Sequence, residues 1–148
     1  MIGTGGRTMN DRYLFRAKRI DDGERVEGYY ACYPHGIGSE DRKDHVIRCV
    51  DGYIYFIDPT TLCQYTGLID RNGQLIWEND ICIIENRSFD EEDGYFMITW
   101  DDDDAMFELS GANIDAGFGF VRNFDCEVVG NIFDNPELLG NDDTGLER

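Results

Sequence analysis

Short apolar runs that follow turn-forming pairs recur along this chain and constrain its fold more than any other feature. Val26 to Tyr33 follows Asp21-Asp22-Gly23, and Tyr53 to Asp58 follows Asp51-Gly52. Asp-Gly and Asn-Gly pairs accept the positive φ angles that tight hairpin turns require, and β-branched and aromatic residues favour strands. We find no window of a dozen residues with the apolar periodicity of a helix. The pattern predicts a mainly β chain of antiparallel hairpins with at most short helical turns.

One connection, one loop and eight further strand segments complete this prediction. Pro59 has no N–H for a ladder, so it ends the strand before it, and Thr60 to Gly67 is predicted as a connection. The sequence from Ser110 to Gly119 is rich in Gly, Asn and Asp and is predicted as a loop. The other predicted strands are Tyr13 to Ile20, His45 to Val50, Leu68 to Trp77 folded about Arg71-Asn72-Gly73, Ile81 to Arg87, Tyr95 to Asp101, Ala105 to Leu109, Phe120 to Phe124 and Cys126 to Phe133.

The length of the chain, 148 residues, is that of one domain. We expect residues 1–10 to be a flexible extension, residues 11–139 to form a small barrel-like or sandwich domain, and residues 140–148 to be a flexible acidic tail. No stretch has the roughly 20 apolar residues of a membrane span, and the start lacks the apolar core of a signal peptide. A cytosolic location is therefore expected.

The formal charge of −18 is distributed unevenly along the chain. Residues 1–69 hold ten acidic and nine basic side chains, a net charge of 9 − 10 = −1, while the remaining 21 acidic and four basic side chains give 4 − 21 = −17. Nucleic acids and anionic membranes are bound through clusters of Lys and Arg. This composition argues against a membrane partner and against direct nucleic-acid binding through a basic patch.

Five cysteines are present, an odd number without a CxxC pair: Cys32, Cys49, Cys63, Cys82 and Cys126. Wide spacing and a cytosolic setting favour reduced thiols over disulfides or a zinc site. We expect all five to act as half-buried small hydrophobic residues. The glycines form no phosphate-binding pattern. No metal or other cofactor is predicted.

Several polar groups could carry chemistry, but each has a simpler structural explanation. The runs Asp101 to Asp104 and Asp90 to Asp93 offer carboxylates to a divalent ion, yet they suit solvated hairpin ends better because the EF-hand pattern is absent. His35 and His45 lack a nucleophile or metal triad near them in the sequence. Turn chemistry accounts for Thr66, Asp70 and Asp80. No catalytic residue is assigned, and the chain is predicted not to be an enzyme.

Three segments of the chain together carry a family resemblance. The first is Phe15-Arg16-Ala17-Lys18-Arg19 followed by Asp22-Gly23, and the second is Gln64-Tyr65-Thr66-Gly67-Leu68 with Asp70, Asn72, Gly73 and Ile76 to Ile81. The third is Val129-Gly130-Asn131-Ile132-Phe133-Asp134-Asn135-Pro136-Glu137-Leu138-Leu139. In this order the three segments resemble the YopX family of small phage and prophage proteins. Asn79 stands where the family usually has Gly, and Asn also tolerates the left-handed conformation.

The resemblance implies a mainly β domain, a phage or prophage origin and a homo-oligomer, and it supplies no activity. Strand aromatics such as Tyr29, Tyr53 and Trp100 could build a core or a subunit interface. The resulting hypothesis is a non-enzymatic accessory protein that binds a host or phage protein. One alternative is an acidic nucleic-acid mimic that inhibits a host DNA-binding protein. The other is a metal-dependent hydrolase built on the acidic runs.

Overall fold

The protein is an all-antiparallel β structure, seen here in a computed structural model that describes residues 12–34, 42–84, 95–111, 115–117 and 126–139. Single turns of 3-10 helix occur at Pro59–Thr61 and Pro136–Leu139. The strands are β1 (Phe15–Lys18), β2 (Arg25–Pro34), β3 (Lys43–Cys49), β4 (Ile54–Phe56), β5 (Cys63–Ile69), β6 (Leu75–Trp77), β7 (Asp80–Ile84), β8 (Phe96–Asp101), β9 (Met106–Gly111), β10 (Asp115–Gly117) and β11 (Cys126–Asn131).

These strands form two sheets, with the orders β4-β3-β2-β1-β5-β6 and β10-β9-β8-β7-β11. The chain divides into two compact units, residues 1–65 and 66–148, and the division falls within β5. The predicted mainly β fold of antiparallel hairpins with short helical turns is confirmed. Neither sheet closes into a barrel within the described ranges.

The first unit is built on β1 to β4, where alternate residues of each strand turn to one side. Ala17, Ile47 and Ile57 are buried there, and a half-buried ring of apolar side chains packs against them: Phe15, Val26, Tyr30, Cys49 and Leu62. The strands curl far enough for Arg19 to form a bridge with Ile57. A single bridge at the strand ends is not a continuous ladder, so this unit remains an open sheet.

The second unit has a separate core on one face of its sheet. The buried members are Ile76, Cys82, Ile98, Leu109 and Cys126, with Leu68, Phe96, Phe107 and Val128 packed around them. On β11 the register shifts between Val128 and Gly130, so Val129 is an extra residue, as in a β-bulge. The ladder on either side of the bulge pairs β11 with β7.

Two sequence predictions are wrong. Thr60 to Gly67 is not only a connection, because β5 begins at Cys63 after the 3-10 turn and pairs with β1. Ser110 to Gly119 is not wholly a loop, because β9 runs to Gly111 and Asp115–Gly117 pairs with it as β10. The first error concerns a strand whose partner lies on a distant segment, and the second concerns a short hairpin inside a stretch rich in turn residues. In both cases local composition is a poor guide to strand pairing.

Other expectations fall outside the described residues: the extension before residue 11, the tail from residue 140, the strand at 120–124, the turn at 88–94 and His35. Asn79 has φ 72°, so Asn does adopt the left-handed conformation that the sequence suggested. The helical segments that the structure describes are short 3-10 turns, and none is long and apolar enough to span a membrane.

Candidate functional site

One face of the first unit's sheet exposes large apolar side chains to solvent. We call it the outer face and define it by Tyr29, Ala31, Tyr33, Arg48, Ile54 and Phe56, all of which are exposed. Tyr29, Arg48 and Ile54 lie opposite one another across β2, β3 and β4, and Ala31, Val46 and Phe56 form the next row. The exposed fractions of the Ile54 and Phe56 side chains are 55% and 52%.

The outer face arises from the two-residue alternation of strands. Along β2, odd-numbered residues such as Tyr29 are exposed while Val26, Gly28 and Tyr30 are buried or half-buried. The main core therefore takes one side of the sheet. On the other side Val46, on β3 in the middle of the outer face, is also buried, and aromatic residues lie on β2 and β4 on either side of it. Towards β1, the same side carries the opposed pairs Lys18–Arg25 and Arg16–Glu27.

The two units differ in net charge. No charged residue lies between 66 and 69, so the first unit has the same net charge of −1 as residues 1–69, and the second unit carries −17. The outer face thus belongs to a nearly neutral unit. The exposed carboxylates of Asp102, Asp103 and Asp104 belong to the acidic unit.

A second group of side chains, here called the thiol cluster, consists of Tyr30, Cys32 and His45. Cys32 lies directly opposite His45 in the β2–β3 ladder, and Tyr30 is two residues from Cys32 on the same face. The Tyr30 hydroxyl and His45 Nδ1 are 2.7 Å apart, and their rings are stacked with an interplanar angle of 12°. Burial raises the pKa of Tyr30, and a hydrogen bond with Cys32 raises it further.

Cys32 is the one exposed cysteine, so the expectation of five half-buried thiols is wrong at this position. All five cysteines are free, as predicted; Cys63, Cys82 and Cys126 are buried and Cys49 is intermediate. A hydrogen bond with Cys126 and burial raise the pKa of Cys82. The pKa of Cys49 is raised chiefly by burial. These two thiols are therefore held in the protonated form.

The local sequence does not predict that the thiol cluster forms. The turn signals pair β1 with β2 and β3 with β4, but Cys32 and His45 meet through the β2–β3 ladder, whose connection holds no tight-turn pair that would fix the register. A nucleophile beside His45 was therefore missed from the sequence. Counting the two-residue alternation back along both strands from Ile47 is the signal that could have found it.

The three polar residues of the central block have structural partners. Thr66 Oγ1 donates a hydrogen bond to the Ile76 carbonyl over 2.6 Å, which joins β5 to β6. Asp80, only 2% exposed, accepts the Trp77 N–H at 2.8 Å. Asp70 Oδ1 accepts the N–H groups of Asn72 and Gln74 at 2.8 and 2.9 Å, which closes the Asn-Gly turn. These contacts agree with the turn chemistry predicted for the block.

Asp70 and Arg71 also cover the free edge of β11. Asp70 Oδ2 accepts the Val128 N–H at 3.0 Å, and the Arg71 N–H donates to the Cys126 carbonyl at 2.9 Å. The Arg71 guanidinium forms an ion pair with Glu127, the residue between them. An unpaired strand edge is a template for association, and this turn satisfies its polar groups.

The closing block is a hydrogen-bonded turn after β11. Asn131 Oδ1 accepts the N–H groups of Phe133 and Asp134 at 2.9 and 3.0 Å, and Asn135 Oδ1 accepts the Asn131 N–H at 3.2 Å. A Cβ at Gly130 would lie 2.6 Å from Asn135 Oδ1, so glycine lets the turn approach the strand. The sequence block that resembles a known family thus has a structural role.

The acidic run at the end of the β8–β9 hairpin is a turn. Asp101 Oδ1 accepts the N–H groups of Asp103 and Asp104 at 2.9 and 3.4 Å, and Asp102, Asp103 and Asp104 are exposed. Within the described ranges, no three His, Cys, Asp or Glu side chains are grouped to hold a metal ion. The run Asp90 to Asp93 lies outside those ranges.

Comparison with known proteins identifies the family. The chain matches none of the curated proteins with which it was compared. It is similar to a crystal structure of protein EF1440 from Enterococcus faecalis, with 22% sequence identity over 85% of this chain and 96% of that chain, and a TM-score of 0.49. The family model described as YopX protein matches residues 14–140, most of the chain and both units. The chain is therefore a member of the YopX family.

Proposed function

We propose that this protein is a non-enzymatic protein-binding module, a phage or prophage accessory protein that works in the cytosol, and that it binds through the outer face. The observation that supports this is a group of four exposed apolar side chains on β2 and β4, the two strands that flank β3: Tyr29, Tyr33, Ile54 and Phe56. Contiguous exposed apolar residues mark protein interfaces, and Tyr and Phe are enriched there.

The first partner that we propose is a second copy of the chain. The outer face belongs to the nearly neutral unit, so association there brings together the parts of two copies that carry little net charge. A charge of −18 on each copy still opposes association at low ionic strength, and salt screens that repulsion over about 8 Å at physiological strength. Self-association should therefore become stronger as salt is added.

Light scattering coupled to size exclusion, at two ionic strengths and micromolar protein, measures the relevant mass. We expect a species larger than one 17.0 kDa chain, with a greater share at high salt. The variant Ile54→Ser should lower that share. Ile69→Ser is the matched control, because Ile69 is exposed to a similar extent (50% against 55%) but lies outside the outer face. A single 17.0 kDa species under both conditions would contradict self-association.

A host or phage protein is the second kind of partner for the same face. Affinity capture from host lysate with the wild-type protein should retrieve it, and capture with Ile54→Ser should retrieve much less. Equal recovery of the partner by the wild-type protein and by Ile54→Ser would show that the outer face is not the binding surface.

The charge of the second unit favours one further candidate function, nucleic-acid mimicry. A net charge of −17 over residues 66–148 could imitate the phosphates of a duplex and occupy the basic groove of a host DNA-binding protein. Capture from host lysate distinguishes this function, because DNA should compete the captured protein away. Replacing the exposed Asp102, Asp103 and Asp104 by Asn should weaken that capture and leave binding through the outer face unchanged. Capture that DNA does not affect would contradict mimicry.

A further inference from the structure

The thiol cluster places an exposed thiol beside two groups that can accept a proton. Cys32 is exposed and lies opposite His45 in the β2–β3 ladder, and the Tyr30 hydroxyl, two residues along the same face, is 2.7 Å from His45 Nδ1. In the neutral tautomer of His45 that carries its proton on Nε2, Nδ1 accepts from Tyr30, and the Tyr30 oxygen can accept from Cys32. The three side chains then form a chain from thiol to imidazole.

We propose that Cys32 is a site of reversible mixed-disulfide formation with small disulfides, and that Tyr30 and His45 are positioning residues that take up its proton. This inference concerns a different face from the outer face and does not rest on the proposed function. Reactive cysteines are partly exposed and close to groups that remove their proton, whereas buried cysteines are inert. Cys32 is the cysteine of this chain that meets both conditions.

The reaction is a thiol–disulfide exchange. Cys32 Sγ attacks one sulfur of the small disulfide, the S–S bond of that molecule breaks, and a new S–S bond joins it to Cys32. The thiol proton passes to the Tyr30 oxygen while the Tyr30 hydroxyl proton moves to His45 Nδ1. The leaving thiolate takes a proton from the imidazolium. The products are the mixed disulfide and one small thiol, and a second thiol reverses the step.

The charges that face Cys32 favour an anionic disulfide. Lys43, exposed, precedes His45 by two residues on β3 and so lies on the same face. On the other side of β2, the ladder with β1 ends at Gly28, so no β1 residue of that ladder lies opposite Cys32. Asp44 pairs with Tyr33 on the opposite face. In the described ladders, the ionisable groups nearest to Cys32 on its face are therefore Lys43, His45 and Tyr30, and Cys49 and Tyr55 lie farther along the same face.

The first experiment locates the reactive thiol. Native protein is treated with dithiobis-nitrobenzoate, an anionic aromatic disulfide whose leaving thiolate is coloured. We expect one rapidly reacting thiol per chain, absent in Cys32→Ser, and five after addition of denaturant. Incubation with glutathione disulfide followed by mass spectrometry should show one added glutathione on the peptide that contains Cys32, removed by reductant. A rapid thiol that persists in Cys32→Ser would overturn the proposal.

The second experiment tests the positioning residues. Tyr30→Phe keeps the ring and removes the hydroxyl, and it should slow the reaction of Cys32 by roughly tenfold, less than the hundredfold or more of positioned bases in enzymes because water also accepts the proton. Tyr53→Phe, at an exposed tyrosine outside both the thiol cluster and the outer face, is the matched control and should react at the wild-type rate. Equal rates for the two variants would overturn the role of Tyr30.

A double variant separates a shared proton path from independent structural effects. His45→Gln should slow the reaction of Cys32, and His45→Gln combined with Tyr30→Phe should react no more slowly than Tyr30→Phe alone, because the two side chains act in one path. Independent, multiplying losses in the double variant would contradict the role of His45. Lys43→Gln should slow the reaction with anionic dithiobis-nitrobenzoate by a larger factor than the reaction with uncharged dithiodipyridine. Equal factors would remove Lys43 from the site.

Discussion

Asp70 and Val128 are 58 residues apart in the sequence, and the carboxylate of one accepts the backbone N–H of the other at 3.0 Å. The same carboxylate holds the Asn-Gly turn through two more N–H groups, and the Asp70 side chain is almost fully buried. One side chain therefore closes a hairpin and fastens that hairpin to the last strand. Arg71 adds its backbone bond to Cys126 and its ion pair with Glu127.

The first prediction concerns this carboxylate. Asp70→Ala leaves three backbone donors without their acceptor, and because an unsatisfied buried donor costs about 1–3 kcal/mol, we expect the free energy of unfolding to fall by about 3 kcal/mol. Urea denaturation measures the loss. Asp103→Ala, at an exposed position, is the control and should stay within about 0.5 kcal/mol of the wild type. Similar midpoints for the two variants would contradict the role of Asp70.

The variant Asp70→Asn tests the hydrogen bond to Val128 separately from the bonds within the Asn-Gly turn. An amide can keep its oxygen towards Asn72 and Gln74, but it then turns its NH₂ group towards the Val128 N–H, so that two donors face each other. We expect a loss of stability between those of the wild type and Asp70→Ala. Full retention of stability in Asp70→Asn would show that the bond to Val128 contributes nothing.

A second prediction compares two glycines. An alanine Cβ at Gly28 would lie 2.1 Å from the Arg48 carbonyl oxygen on the neighbouring strand, and backbone cannot move aside as a side chain can. We expect Gly28→Ala to lower the free energy of unfolding by about 3 kcal/mol. At Gly23 the added Cβ meets open space and only the φ of +77° is strained, at a cost of about 1 kcal/mol. Thermal unfolding of both variants measures the two losses. A larger loss of stability in Gly23→Ala than in Gly28→Ala would contradict the prediction.

The third prediction concerns the acidic turn. Replacing Asp101 to Asp104 together by Asn relieves the repulsion between like charges, and Asn at position 101 keeps an oxygen for the N–H groups of Asp103 and Asp104. We expect stability in metal-free buffer to hold or rise, as measured by urea denaturation. Asp101→Ala should instead lose stability because those two donors lose their acceptor. A marked fall in the fourfold variant would mean that the charges make favourable contacts.

A fourth prediction is a pH dependence at Asp58. The hydroxyl of Thr60 donates to Asp58 Oδ1 at 2.8 Å and the Thr60 N–H does so at 3.0 Å, which lowers the pKa of Asp58 below its ordinary value of 3.8. A carboxyl whose pKa is depressed by folding contributes stability above its unfolded pKa, and that stability is lost as the pH falls through the folded pKa.

Thr60→Val removes the hydroxyl donor, so the pKa of Asp58 should rise towards its ordinary value and the acid-dependent part of stability should shrink. NMR titration of the Asp58 carboxyl measures the pKa. Thr61→Val is the matched control, because the Thr61 hydroxyl donates to the backbone carbonyl of Asp58 and not to its carboxyl. Equal pKa values of Asp58 in Thr60→Val and the wild type would contradict this account.

The hairpins could be predicted because their turns carry the necessary chemistry locally. Gly52 and Gly73 have positive φ angles, as Asp-Gly and Asn-Gly turns require, and the strands on both sides of each turn lie where the sequence placed them within a few residues. The family blocks could be predicted for the same reason. Thr66, Asp70 and Asn131 are mainly occupied with turns and strand ends that the sequence displays.

What could not be predicted depends on pairing between distant segments. β5 pairs with β1 from Cys63 onwards, although Thr60 to Gly67 reads as a connection when taken alone. The thiol cluster depends on the register of β2 with β3, and the outer face depends on which side of that sheet the core takes. These are properties of the assembled sheet, because the preference of a strand is set by its neighbours more than by its own residues.

The bond between Asp70 and Val128 also has a consequence for synthesis of the chain. The described core of the first unit uses residues up to Leu62, so every member of that core has been made before the hairpin of β5 and β6 is complete. The second unit, in contrast, takes Cys126 into its core and Val128 onto the Asp70 carboxylate, and both belong to the last strand. The second unit therefore cannot complete its core or its bond to Asp70 before residue 128 has been translated.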